Sequence, residues 1–150
     1  MADLDQHLRA TRIVAVALII SLLVYVYLVE LIKLQSAPFR GFVQVPQWEV
    51  LRWALLAVAL IEAPLIRFLR GALLAPRAGA GAPGPRLQTA SIVTLALCES
   101  VGICGVVLFV ISGSSADFYL FLALSLGLFA IDFPRRDQWE EWARQMAPRA

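Results

Sequence analysis

Four long apolar stretches, 13–32, 48–69, 91–111 and 118–133, organise the chain, and charge, proline and glycine collect in the segments between them. A helix crosses the hydrocarbon core of a bilayer with about 20 apolar residues, so each stretch is the length of a membrane span. The pattern predicts helices over about 13–32, 48–70, 89–111 and 117–133. The fold class expected is all-α: a four-transmembrane-helix membrane bundle made of two helical hairpins, forming a single integral membrane domain over 1–150. The last stretch is the shortest at 16 residues, about 24 Å of helix. Phe118 and Tyr119 at one end and Trp139 and Trp142 beyond the other mark the interfaces that let it span.

The polar segments divide the same way. GALLAPRAGAGAPGPR (71–86) is rich in glycine and proline and reads as a flexible, solvated linker between the hairpins. SAPFRGFVQVPQ mixes turn residues with Phe39, Phe42 and Val43, which suits a turn lying partly in an interface, with the second helix starting just after Pro46. Pro134 follows the fourth stretch directly and stops it there. In FPRRDQWEEWARQ, Trp139 and Trp142 are three apart on one face of a short helix, and an interfacial segment over 134–147 with these two residues as its anchor is expected.

Composition agrees with the pattern: 60% of residues are hydrophobic, mean hydropathy is +0.75 and 16% are charged, against roughly 25% in soluble domains. The first stretch has basic residues before it and QSA after it, as a secretory signal would. It runs 17 residues before Glu30, beyond the roughly 7–15 of a signal's apolar region, and reads as a retained anchor.

Of the 13 basic residues, Arg9, Arg12, Arg67, Arg70, Arg77, Arg86, Arg135, Arg136, Arg144 and Arg149 fall on one side of the proposed topology, and Lys33, Arg40 and Arg52 on the other. The positive-inside rule then places both termini in the cytoplasm, in a multi-pass protein of the bacterial cytoplasmic (inner) membrane. No continuous basic stripe of the kind that binds nucleic acid is present, and no nucleic-acid partner is expected.

Little conventional chemistry is encoded. Cys98 and Cys104 project about 240° apart on a helix, which excludes a bridge between them. His7 is the single histidine, no metal-ligand set appears, and neither metal nor cofactor is expected. No nucleophile and base pair or phosphate loop marks a catalytic residue, so the chain reads as a non-enzyme. The expected partners are the lipid bilayer and either further copies of the chain or other membrane subunits.

Two carboxylates stand inside apolar stretches. Glu62 and Glu99 fall about 4.5 Å and about 3 Å from the middle of their helices, on the same side of centre if the helices run antiparallel. Inserting a charge there costs about 2.5–3.5 kcal/mol. Protonating a carboxylate at neutral pH costs about the same, so such a pair is expected to hold or share a proton. Both are candidates for binding an ion or proton. Ser91, Cys98, Gly102 and Gly105 fall within about 40° of one line and form a small-residue stripe suited to helix packing. Two functional readings follow: a structural or interaction protein in which Glu99 is a buried contact, and a carrier in which it titrates.

The segment ALCESVGICGVVLF (96–109) resembles the carboxylate-bearing helix of the proteolipid (c) subunits of rotary ATPases. Ala96, Leu97, Glu99, Ile103, Gly105, Val106 and Val107 match that family's pattern around its ion-carrying glutamate, and Cys104 stands where tyrosine is common. The resemblance implies a bacterial c-like membrane protein with Glu99 as ion carrier. The glycine repeat of that family's inner helix is absent from WALLAVALIEAPLIRFLR.

Overall fold

The computed structural model describes residues 2–36, 38–42, 48–74 and 83–146. They form five helices, α1 (Ala2–Gln35), α2 (Trp48–Leu74), α3 (Pro83–Ser112), α4 (Ser115–Asp132) and α5 (Arg136–Met146). Three of them, α1, α3 and α4, are long and apolar enough to cross a membrane. The four-span expectation is met only to that extent. Although 27 residues long, α2 carries Glu49, Arg52, Glu62, Arg67 and Arg70 along its length, and these break the apolar run into short pieces.

The packing also differs from two hairpins. Among the described residues α3 and α4 form a hairpin, joined by a tight turn at Gly113 and Ser114, whereas α1 and α2 do not, and α2 packs antiparallel to α3 instead. The other helices are arranged around α3, which α1, α2 and α4 each pack along, while α1 meets α4 lightly and is not a packed partner of α2. The composition of α3 explains its place at the centre, because small and apolar residues cover its whole circumference. Buried on it are Ala90, Leu95, Cys98, Val101, Leu108 and Phe109. Leu22 of α1 packs with Cys98, Ala59 of α2 with Val101 and Leu108, and Phe118 of α4 with Phe109.

Glycine sets the closest approaches. A Cβ on Gly102 would meet the Leu22 Cδ2 atom at 2.5 Å, and one on Gly105 would meet the Phe121 Cβ at 2.7 Å and the Phe118 carbonyl oxygen at 3.1 Å. The small-residue stripe is thus spent inside the chain, against α1 and α4. Ser91 and Cys98 are buried with it, and Ser125 donates a hydrogen bond of 2.7 Å to the Cys98 carbonyl.

At the α3–α4 turn, two glycines interlock. Gly41 (φ 85°) and Gly113 (φ 73°) both occupy the left-handed region, which glycine enters without strain. A Cβ on Gly41 would lie 2.0 Å from the Ile111 carbonyl oxygen. Phe42 donates its backbone N–H to the Val110 carbonyl at 2.8 Å, and the Phe39 ring sits 5.0 Å from that of Phe109. The described part of the first connection therefore packs on the end of α3; Val43, Pro46 and the rest of 43–47 lie outside the described residues.

Helix limits depart from the sequence expectation where polar residues can still be helical. α1 starts at Ala2 instead of 13, and its polar first turns are tied down by hydrogen bonds from His7 Nδ1 to Gln88 Oε1 (2.5 Å) and from Thr11 to the His7 carbonyl (2.9 Å). Both edges of the 71–86 linker are helical, since α2 continues to Leu74 and α3 begins at Pro83. Proline is tolerated in a first turn because the N–H groups there lack helical partners anyway. Residues 75–82, with Arg77, lie outside the described residues.

The C-terminal segment does form a short helix, α5. Its Trp139 is 1% exposed and packs on Leu8, Leu74, Leu87 and Ala90, with Trp142 against the same cluster. These two tryptophans therefore fasten α5 to the end of the bundle where α1 and α3 begin and α2 ends. Arg136 adds exposed ion pairs to Asp5 (3.4 Å) and Glu140 (2.8 Å).

Candidate functional site: two carboxylates at two helix contacts of α3

Glu99 and Ser100 are neighbours on α3 and so point about 100° apart. That single step sends the two intramembrane carboxylates to different helices. Glu99 turns toward α1, where its Oε1 accepts hydrogen bonds from Ser21 Oγ at 2.6 Å and Tyr25 OH at 3.1 Å. Ser21 and Tyr25 are four residues apart on one face of α1, so both hydroxyls converge on the same oxygen. Glu99 is half-buried, and a carboxylate oxygen accepting two hydroxyls has its hydrogen-bonding capacity well used.

Glu62 reaches α3 from the other side, and its Oε1 accepts from Ser100 Oγ at 2.7 Å. The same hydroxyl lies 2.7 Å from the Leu97 carbonyl oxygen of its own helix. A serine has one hydroxyl proton, so it serves one of these two acceptors at a time. Glu62 is 9% exposed, and its other oxygen, Oε2, is buried without a hydrogen-bond partner among the described residues. Glu62 is thus the more buried and the less satisfied of the two. Pro64, two residues on, interrupts the backbone hydrogen bonding of α2 just here.

Among the described residues no hydrogen bond joins Glu62 to Glu99. Similar depth does not bring the pair together, because Glu99 turns from α3 toward α1 while Glu62 approaches α3 on α2, at Ser100. Cys98 and Cys104 are free thiols. Among the described residues no group of three or more His, Cys, Asp or Glu side chains is disposed to hold a metal ion.

Sequence reasoning missed a second set of polar contacts. Arg52 pairs with Asp117 at 2.8 Å, and Arg70 with Asp132 at 3.2 Å. The two pairs join α2 to α4 at opposite ends of both helices, which therefore run parallel. Asp117 is only 3% exposed. It sits in the first turn of α4, where an acidic residue also complements the helix dipole, and its N–H is received by the N-cap Ser114 Oγ at 3.4 Å. Arg52 Nε faces Asp117 at ion-pair distance but without the alignment of a straight hydrogen bond. At the far end of α1, Glu30 takes Lys33 at 2.8 Å and a hydrogen bond from the Tyr119 hydroxyl of α4.

Chemically, the arrangement offers one carboxylate locked into an interhelical hydrogen-bond cluster and one with an unused acceptor oxygen. No nucleophile stands beside a base in it. Compared with family models, with curated proteins and with solved structures, the chain matches none.

Proposed function

We propose that this chain is a small polytopic membrane protein of structural or interaction type, acting through association with further copies of itself or as an accessory subunit of a larger membrane assembly. The observation that carries the reading is the Ser21–Glu99–Tyr25 cluster: the carboxylate singled out by its depth is bonded across a helix contact within one chain. Polar side chains serve as interhelical glue in this way inside membranes.

On this reading α2 crosses as a fourth span. Arg52 and Arg70 are neutralised by Asp117 and Asp132, Arg67 is exposed near the basic end, where a long side chain reaches the interface, and Glu62 is covered by α3. The distribution of basic residues supports a bacterial inner-membrane location with both termini cytoplasmic. With the small-residue stripe consumed within the chain, association falls to outward apolar surface such as Trp53, Leu60, Ile61 and Phe68 of α2, all exposed.

A second reading, proton or monovalent-cation translocation through an intramembrane carboxylate, is favoured by one observation, the unpartnered Oε2 of buried Glu62. It moves the titrating role from Glu99, the position matched in the proteolipid resemblance, to Glu62. Reconstitution into liposomes separates the two readings. The structural reading expects proton and potassium flux at the level of empty liposomes, unchanged in Glu62→Gln. Flux in the parent that Glu62→Gln abolishes establishes the carrier.

A further inference from the structure

Because α1 and α4 meet only lightly, a groove of about 360 Å³ remains between them, lined by Ile19 of α1 and by Leu126, Phe129, Ala130, Phe133 and Arg135 on and just after α4. Leu126, Phe129, Ala130 and Phe133 recur at three- and four-residue spacing, so they form one continuous apolar wall. The groove is apolar along its length and ends at a guanidinium. Arg135 is exposed and makes no ion pair among the described residues.

A second arginine, outside the lining itself, is bonded to the backbone next to Arg135. Arg12 lies two turns before Ile19 and so falls on the same face of α1, about 10 Å nearer the basic end. Its Nε donates to the Pro134 carbonyl oxygen at 3.4 Å, one residue before Arg135 in the chain, and among the described residues Arg12 makes no ion pair. The neighbouring acids are largely engaged elsewhere: Asp132 by Arg70, Asp5 and Glu140 by Arg136. Asp137 is exposed on the first turn of α5.

We propose that this groove binds one anionic phospholipid, its acyl chain lying between Ile19 and the α4 wall and its phosphate held by Arg135 and Arg12. An apolar trough with Arg135 in its lining, and with Arg12 bonded to the adjoining Pro134 carbonyl, suits both parts of such a lipid. Arginine's planar fork suits phosphate oxygens, and basic pockets between membrane helices are a common seat for anionic headgroups. The inference rests on the bilayer location and is independent of whether a carboxylate translocates ions.

Native mass spectrometry of the full chain in a neutral maltoside detergent tests it, with phosphatidylglycerol or phosphatidylcholine of identical acyl chains added. The parent is expected to retain one phosphatidylglycerol per chain in preference to phosphatidylcholine. Arg135→Gln removes one headgroup contact and is expected to lower that retention about 5-fold. Ala130→Trp fills the trough and is expected to abolish the preference. Both positions are exposed, and unchanged far-ultraviolet circular dichroism checks that the variants fold. Equal retention of the two lipids by the parent, retention unmoved by either variant, or equal retention of added free glycerol phosphate would each overturn the proposal. A missing lipid preference alongside the flux results expected above removes this site and leaves the functional reading standing.

Discussion

The contact of α1 with α3 and that of α2 with α3 both bury a glutamate in the middle of an apolar face, yet they are held in opposite ways. Against α1 the polar bonds are central: Glu99 receives two hydroxyls between two apolar layers. Against α2 the central carboxylate has a single, shared donor, and the charges that hold α2 sit near its ends, paired with α4. A buried polar group stabilises a bundle only when its partners are complete, and an incomplete one is a cost that the rest of the contact must offset. Alike in sequence, the two glutamates therefore have opposite energetic signs.

The largest effect expected from that contrast is at the end of α2. Arg52→Gln leaves the buried carboxylate of Asp117 without its counter-charge and is expected to lower unfolding stability in mixed micelles by about 3 kcal/mol, with Arg52→Lys recovering part of it. Next comes Glu99→Leu, which strands the Ser21 and Tyr25 hydroxyls and is expected to cost about 2 kcal/mol in the same assay. A loss at Glu99 larger than that at Arg52 would reverse the ranking of central lock and terminal clamp.

Removing the donors one at a time is gentler. Ser21→Ala and Tyr25→Phe are each expected to cost about 0.6 kcal/mol, the average for hydrogen bonds between membrane helices. Smallest of all is Glu62→Leu. It deletes the unpartnered Oε2, leaves Ser100 bonded to the Leu97 carbonyl, and is expected to be neutral or slightly stabilising, since an apolar group of similar volume can replace an unsatisfied buried one without loss. A loss above about 1 kcal/mol would mean that Glu62 has a partner of real strength.

How much of this was legible in the sequence depends on the length scale of the signal. The apolar stretches were local, and they gave the helical class, the beginning of α2 at Trp48 and the end of α4 at Asp132 to within a residue or two. Helix ends that run on in polar sequence were missed, because residues such as Asp5 and His7 are helical without being apolar. Position along a helix was legible too: Glu62 and Glu99 both lie at mid-helix, the first buried and the second half-buried. Rotation about the helix axis was not legible. The 100° between Glu99 and Ser100 decides which carboxylate meets which helix, and nothing within α3 reveals where α1 and α2 will lie around it.

One signal was available and unused: Ser21 and Tyr25, polar groups at i and i+4 in an otherwise apolar run, present paired donors to whatever packs on that face. The ion pairs had no such signal. Asp117 and Asp132 look like helix-end residues in their own stretch, and their arginines lie more than sixty positions away in the chain. Within the stripe of Ser91, Cys98, Gly102 and Gly105, Gly102 and Gly105 lie against α1 and α4 of the same chain, and the Cys98 carbonyl accepts from Ser125 of α4.

The central claim is that Glu99 belongs to the α1 face and Glu62 does not, although the two lie at nearly one depth. A pair of double-mutant cycles in one detergent tests it, combining Tyr25→Phe first with Glu99→Leu and then with Glu62→Leu and measuring unfolding free energies. The structure predicts a coupling of about 0.5–3 kcal/mol between Tyr25 and Glu99, and additivity within about 0.5 kcal/mol between Tyr25 and Glu62. Additivity in the first cycle, or a coupling in the second, would contradict it.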